Sequence, residues 1–337
     1  MTKPNIALFR IALLTAVLAY LVVLLGVYTR LSDAGLGCPD WPGCYGRLIA
    51  PTGAAEVEDA AQAYPSSRVE PAKAWKEMVH RYAAGALGLS IVLLAFVSFR
   101  ERHKLRQRRL AAWLVVLVIF QAVLGMWTVT LQLKPLVVMG HLLGGMAILA
   151  LLWWFVLREQ QLWKPLSGPA SMLRRLRPRA WVALGLVAAQ IALGGWTSAN
   201  YAALVCPDFP TCQGQWWPNV DFADGFVLWR GLDVNYEGGV LSLAAATAVH
   251  MGHRLGALIT FLYVGWLALH TIHVGGKEHL CRYGLFMLIA LLAQIALGVA
   301  NVLNHLPLPV AVAHNGVAAL LLLSVVTFLH ALHPPRA

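Results

Sequence analysis

The sequence predicts an all-α integral membrane protein with eight transmembrane helices arranged as two tandem four-helix bundles. Three observations predict it: an apolar composition, eight apolar runs of membrane-spanning length, and an internal repeat. Hydrophobic residues make up 59% of the 337 positions and charged residues only 12%. A chain of this composition is far too apolar for a soluble domain, so the soluble classes of enzyme and binding protein are excluded.

Eight apolar runs mark the predicted spans. Each has about the 20 residues that a hydrocarbon core of about 30 Å requires. The first run is not expected to be a cleavable signal, because it is long, no small-residue cleavage site follows it, and a later helix repeats its pattern. The predicted spans lie near residues 7–29, 77–99, 111–132, 136–157, 180–199, 244–270, 283–303 and 308–331.

An internal repeat relates the first four spans to the last four. The early matches share an offset of 168 residues and the later ones an offset of 173, so one small insertion reconciles them. The matched segments are 25–29 with 193–197, 38–44 with 206–212, 80–81 with 253–254, 121–125 with 294–298, and 141 with 314. We therefore expect two halves of the same helix order and orientation. These are an N-terminal half, 1–165, and a C-terminal half, 166–337.

Charge is distributed unevenly along the chain, which has a formal net charge of +11. Basic residues crowd into loops 100–109 and 158–179, whereas most acidic residues lie in loops 30–73 and 200–243. The positive-inside rule places the basic loops and both termini in the cytoplasm and the two long loops outside. Topology and anionic lipid account for the basic charge, so nucleic acid is not an expected partner. The expected location is the cell inner (plasma) membrane, with several passes.

Two cysteine pairs lie in the long loops, Cys38 with Cys44 and Cys206 with Cys212. Two cysteines six positions apart can close a small disulfide loop if the turn brings their Cβ atoms together. An outward location would supply an oxidising compartment. A structural clamp and a redox role for the first pair remain alternatives. Zinc binding by all four cysteines is a third, although the usual C-x2-C spacing is missing.

Four histidines stand at matched depths in the predicted helices. His80 and His141 lie about five to seven residues inside the outward ends of the second and fourth spans, and His253 and His314 do the same in the sixth and eighth. At 1.5 Å per residue each is roughly 10 Å below the outer surface. Two histidines on facing helices of a four-helix bundle can ligate a heme iron axially. Helix–helix hydrogen bonds are the alternative for a single membrane histidine. Zinc is disfavoured because the C-terminal half supplies no third close Cys, Asp or Glu.

One position of the repeat differs in chemistry between the halves. Glu77 stands three residues before His80, whereas His250 stands three residues before His253. Residues three apart share a helix face, so each points into the same site as its histidine. A carboxylate can relay protons or stabilise a cation there, and an imidazole can support the neighbouring ligand or a propionate.

Basic residues accompany this position. Lys76 and Arg81 could form an ion pair with Glu77, which is the structural alternative to a catalytic carboxylate. Arg81 and its counterpart Arg254 are expected to meet heme propionates or, failing that, structural carboxylates.

Together these residues resemble the heme A synthase family, specifically its bacterial members with cysteine pairs in the outer loops, relatives of the mitochondrial enzyme. The resemblance spans nearly the whole chain. Its motifs are Thr29-Arg30-Leu31, Gly35-Leu36-Gly37-Cys38, Glu77-x-x-His80-Arg81, His141, His253-Arg254 and His314. It implies an oxidoreductase that converts a ring methyl of heme O to a formyl group. Two successive hydroxylations would give a geminal diol that loses water.

The resemblance also implies how the site is divided. His253 and His314 would hold a heme b for electron transfer, and heme O would bind near His80 and His141, with Glu77 beside the reacting face. Heme O and the lipid bilayer are expected partners, a heme O synthase and an electron donor are further candidates, and oligomer formation stays open. The alternative function is a non-enzymatic di-heme cytochrome b, which would use all four histidines but gives no role to Glu77.

Overall fold

The computed structural model describes residues 6–100, 105–159, 170–231, 234–275 and 280–333. In chain order its helices are α1 (Ile6–Leu31), α2 (Ala54–Ala63), α3 (Pro71–Arg100), α4 (Leu105–Thr130), α5 (Pro135–Glu159), α6 (Ala170–Ala199), α7 (Phe222–Gly225), α8 (Leu243–Gly275), α9 (Leu280–Leu303) and α10 (Leu308–Ala331). All except α2 and α7 have the length and hydropathy to cross a membrane. The predicted class, an all-α protein with eight membrane spans, is confirmed. The predicted boundary between residues 165 and 166 lies outside the described residues.

Prolines and small residues shape the long helices. α3 and α5 begin at Pro71 and Pro135, where the fixed φ and missing N–H of proline suit the first helical position. On α1, Ala12, Ala16 and Ala19 are at most 4% exposed and share one face. Lipid tails are as apolar as side chains, so membrane helices associate through close packing at small residues. This alanine face lets α1 approach its neighbours closely.

The same pairs of helices are in contact in both parts of the chain. α1 and α4 each pack against α3 and α5, and α6 and α9 each pack against α8 and α10. The two sets meet where α1 contacts α10 and where α5 contacts α6 and α10. Phe155 of α5 and Phe328 of α10 are 0% exposed and belong to one apolar core. The core therefore runs through both parts of the chain.

The repeat extends to backbone conformation. Non-glycine residues rarely adopt positive φ, yet such residues recur here at the two sequence offsets. The recurring pairs are Asp33 (52°) with Tyr201 (55°), Tyr45 (53°) with Gln213 (55°), Gln132 (49°) with His305 (55°), and Leu133 (59°) with Leu306 (61°). The turns that follow equivalent helices are thus built alike.

Both cysteine pairs form disulfides in the structure. The Cα atoms are 4.8 Å apart for Cys38–Cys44 and 4.6 Å apart for Cys206–Cys212, within the usual range of about 4.4–6.8 Å. Because each sulfur is bonded to its partner, the four cysteines do not form a zinc site.

An aspartate organises the turn inside each disulfide loop. In the second loop, Asp208 accepts hydrogen bonds from the backbone N–H groups of Gln213 at 2.6 Å and Gly214 at 3.0 Å, and from the hydroxyl of Thr211. The Thr211 hydroxyl and these N–H groups hold the pKa of Asp208 below its usual range. Ionised Asp208 therefore stabilises the turn above the ordinary aspartate pKa of about 3.9, and this stabilisation is lost as the pH falls through the lower folded-state value.

Replacing Thr211 with valine should raise the pKa of Asp208, because the largest favourable hydrogen bond to the carboxylate is removed. The turn should then loosen at a higher pH than in the wild type. Hydrogen exchange of the 206–216 peptide across an acidic pH series, corrected for intrinsic rates, measures this. The first loop has Gly43 where the second has Thr211, so the equivalent turn at Asp40 is an internal control that should not change. An unchanged pH dependence in the second loop would contradict the assignment.

Candidate functional site

A cavity of about 1620 Å³ lies among the long helices and is lined from both parts of the chain. His80, His141, His253 and His314 all line it. Pockets for one small ligand are typically about 300–1,000 Å³. The cavity is therefore larger than one ligand requires, and the four predicted histidines share it.

Each of these imidazoles lies against a glycine of the preceding membrane helix. A Cβ atom at any of the four glycines would come closer to the Cε1 atom of its histidine than side-chain carbons normally approach. The distances would be 2.9 Å for Gly26 and His80, 3.2 Å for Gly125 and His141, 3.2 Å for Gly194 and His253, and 3.1 Å for Gly298 and His314. The glycines therefore make the room in which the rings stand.

Glutamines reach two of the imidazole rings. Gln190 on α6 places its Nε2 3.0 Å from Nδ1 of His253 and also donates to the His253 carbonyl at 3.0 Å. Gln294 on α9 places its Nε2 3.2 Å from Nε2 of His314. Each contact restrains the rotation of the imidazole ring that it reaches. The C-terminal pair is thus oriented by side-chain amides.

The N-terminal pair is held differently. Gln121 on α4 donates to the backbone carbonyl of His141 rather than to its ring. At the position equivalent to Gln190, α1 carries Val22, which lines the cavity and cannot donate a side-chain hydrogen bond. The rings of His80 and His141 therefore lack the amide contacts made in the other half.

The histidines fit a heme. The Nδ1 atoms of His80, His141 and His314 are buried and have no hydrogen-bond partner. Buried polar atoms are normally satisfied, so a cluster of orphaned ring nitrogens around an apolar cavity points to a ligand that uses the imidazoles. Two imidazoles from facing helices would be suitable ligands for a heme iron. Within the described ranges, no group of three or more metal-binding side chains is assembled, which does not favour zinc.

Glu77 joins α3 to the first disulfide loop at the edge of the cavity. The residue is 4% exposed. Its Oε1 lies 2.5 Å from Nη2 of Arg81, and its Oε2 accepts a hydrogen bond from the N–H of Cys38 at 2.8 Å. Of the two expected ion pairs, the structure forms the one with Arg81, whereas Lys76 lies over the ring of Tyr28. Arg81 and the loop backbone therefore hold this buried carboxylate in a fixed position beside the cavity.

Arg81 and Arg254 hold the two disulfide loops. Arg81 donates to the carbonyl of Asp40 at 2.9 Å and to that of Gly43. Arg254 donates to the carbonyl of Asp208 at 2.7 Å, and a second bond of 2.7 Å goes to the carbonyl of Thr211. Both arginines line the cavity, and the Nε atom of Arg254 is buried without a partner. Propionates or carboxylates were the predicted partners of these arginines, and the loop carbonyls were not predicted. The Nε of Arg254 remains available as a donor to a propionate.

His250, at the position equivalent to Glu77, contacts a backbone carbonyl group. It is 5% exposed, and its Nδ1 lies 2.9 Å from the carbonyl of Ala202 in the short 3-10 turn Ala202–Leu204. It also lines the cavity. The same position therefore presents a carboxylate in one half and an imidazole in the other.

Arg30 is a cavity-lining residue whose place the sequence did not reveal. Its Nη2 donates to the carbonyl of Ser198 at 2.6 Å, and its guanidinium lies 4.1 Å from the centre of the Tyr201 ring. Its Nε is buried and unpartnered. The residue belongs to α1 but contacts the end of α6, so it links the two parts of the chain at the cavity. The contacts of Gln121, Gln190 and Gln294 with the histidines were also not predicted. The repeated Gln-x3-Gly pattern in 121–125 and 294–298 could have indicated them.

Comparison with known proteins shows the family to which the chain belongs. The family model described as cytochrome oxidase assembly protein matches residues 9–326. A heme A synthase of Shewanella oneidensis is 44% identical over 314 residues, which are 93% of each chain. Heme A synthases of Bradyrhizobium sp. strain BTAi1 and of Halalkalibacterium halodurans are 28% and 25% identical, over 98% and 91% of this chain and 93% and 91% of their own. The chain therefore belongs to the heme A synthase family of cytochrome oxidase assembly proteins.

Proposed function

We propose that this protein is a heme A synthase, an oxidoreductase that converts a ring methyl of heme O to the formyl group of heme A. The observation that carries the proposal is the asymmetry of two otherwise matched histidine pairs. A buried carboxylate, Glu77, stands beside the N-terminal pair, and the C-terminal pair has His250 at the equivalent position. A chain that only carried electrons would have no need of this difference.

In this proposal one half binds the substrate and the other half binds a resident cofactor. Residues 1–165 would bind the substrate heme O near His80 and His141, and residues 166–337 would hold a resident heme b through His253 and His314. Heme b, when bound, supplies electron transfer. The ring contacts of Gln190 and Gln294 support this assignment, because side chains that hydrogen-bond and orient a ligating histidine strengthen metal binding about 10–100-fold. A resident cofactor needs such retention, and a substrate that must leave does not.

Glu77 is the proposed catalytic residue. Oxidation at a methyl carbon moves protons and builds positive charge near the ring, and a carboxylate can accept the proton or stabilise the cation. Arg81 and the N–H of Cys38 fix the two oxygens of Glu77, so its position does not depend on solvent. Arg81 and Arg254 position the two loops over the cavity, and the free Nε of Arg254 is suited to a propionate.

The location is inferred from the charge of the loops and from the disulfides. We place the protein in the cell inner membrane with both termini cytoplasmic and the two long loops outside. The two disulfides support this orientation, because such bonds persist in oxidising compartments. A heme O synthase that hands over the substrate and a membrane electron donor are proposed partners.

The heme content of the purified protein tests the function. After expression in a host that makes heme O, the protein should contain heme b together with heme O or heme A, measured by pyridine hemochrome spectra and chromatography of extracted hemes. Wild-type protein containing heme b alone, in an amount that fills both histidine pairs, would instead indicate a di-heme cytochrome b.

A further inference from the structure

One wall of the cavity is open in the N-terminal half. Gly85, Gly88 and Val92 follow one another on α3 at spacings of three and four residues and therefore share a helix face. All three line the cavity. A Cβ atom added at Gly85 or Gly88 would meet no atom within 4 Å. Space, rather than a neighbouring helix, lies beside the two glycines.

The equivalent wall is filled in the C-terminal half. At the offset of 173 residues, Gly85 corresponds to Leu258 and Gly88 to Phe261. Both large side chains line the cavity on α8 and are 53% and 36% exposed, so they occupy the space that the two glycines leave open and reach the outer surface. The two halves therefore differ at this wall by two bulky apolar side chains.

The packing of α3 and of α8 against the next membrane helix also differs between the halves. α8 packs against α9 much more extensively than α3 packs against α4, whereas α1 packs against α3 as extensively as α6 packs against α8. Leu89 of α3 and Ile119 of α4 line the cavity and are 74% and 61% exposed. The cavity therefore reaches the apolar outer surface of the protein between α3 and α4.

We propose that this gap, bounded by Gly85, Gly88, Leu89 and Ile119, is a lipid-facing portal for the isoprenoid chain of heme O. The inference rests on the proposed function, since it concerns the same substrate. Heme O carries a long farnesyl-derived chain, and heme b carries only short substituents. An apolar chain that passes between α3 and α4 contacts side chains and lipid of its own polarity, while the ring stays between His80 and His141. The filled wall at Leu258 and Phe261 suits a cofactor without such a chain.

Closing the gap with the residues of the other half tests the portal. The double variant Gly85→Leu, Gly88→Phe should bind heme O at least about tenfold more weakly, because each methylene excluded from an apolar site costs roughly a fourfold loss of affinity. Its affinity for protoheme, which has no isoprenoid chain, should change less than about twofold. Both affinities are measured by optical titration of the purified protein in lipid nanodiscs, with the resident heme b spectrum as the check on folding.

Gly185→Leu is the matched control. Gly185 is an exposed helical glycine with no atom within 4 Å of an added Cβ, and it does not line the cavity. It should therefore leave heme O binding unchanged. If the double variant fails to assemble with heme b, the single variant Gly85→Leu takes its place.

Two outcomes would overturn the portal. Equal losses for heme O and protoheme would mean that the ring site was damaged, and unchanged heme O affinity would mean that the chain takes another route. Failure of the proposed function would show separately, as wild-type protein that binds heme O and never converts it.

Discussion

Replacing Glu77 with glutamine is expected to reduce heme A formation by about 100-fold or more. Loss of a positioned acid or base typically costs about 10²–10⁴-fold in rate. Glutamine keeps the size of the side chain and an oxygen for the N–H of Cys38, but it can neither take up a proton nor neutralise a developing cation. The measurement is chromatography of hemes extracted from host membranes, where heme O should accumulate in place of heme A.

The control for this variant separates chemistry from structure. Glu70→Gln alters a carboxylate at the same end of α3 that is paired with Lys73 at 3.4 Å in a more exposed position, and it should leave heme A formation unchanged. In the Glu77→Gln protein, the heme b spectrum and the Cys38–Cys44 disulfide should both persist. Heme A at the wild-type level would remove Glu77 from the mechanism.

Replacing His253 with methionine is expected to change or abolish the spectrum of the resident heme b. The imidazole is one of the two proposed iron ligands, and thioether ligation alters both affinity and reduction potential. The corresponding His80→Met variant should leave that spectrum intact, because His80 belongs to the substrate pair. Absorption spectra of the reduced purified proteins distinguish the two. A spectrum altered only by His80→Met would place heme b in the N-terminal half.

A substitution beside the ligand His253, rather than of the ligand itself, should weaken heme b binding without abolishing it. Gln190→Leu should keep heme b bound but weaken its retention about 10–100-fold, since the amide orients His253 without being a ligand. Heme loss to an excess of apomyoglobin measures this retention. A loss rate equal to the wild type would mean that the amide contact is structural only.

The spans were predictable because hydropathy reports the part of each helix that lies in lipid. Hydropathy does not predict where each helix begins and ends. The second span was predicted to start at residue 77, yet α3 begins at Pro71, because Lys73 and Lys76 lower the hydropathy of a turn that is helical nonetheless. Similarly, α6 starts at Ala170, ten residues before the predicted span. Membrane helices continue beyond the apolar core, where proline and loop geometry decide their ends.

The candidate site was predictable only where it follows helix periodicity. The histidines and Glu77 stand at regular spacing on their own helices, and the repeat shows which positions are equivalent. The contacts of Arg81 and Arg254 with loop carbonyls, and the reach of Arg30 to α6, depend on how separate segments pack. Nothing in the local pattern around Arg30 indicates a partner 168 residues away.

The separation of 168 residues between Arg30 and Ser198 equals the repeat offset, which has a consequence for the symmetry of the interface. Arg30 contacts Ser198, and Asp33 accepts a hydrogen bond from Tyr201 at 3.1 Å; both pairs join positions that the repeat makes equivalent. In a symmetric homodimer, a residue at the two-fold axis meets its own copy, so arginine would face arginine and aspartate would face aspartate. Fusing two copies into one gene removes that constraint. In this chain the two positions are separate residues, so one side of the interface can be a cation and the other an acceptor and an aromatic ring.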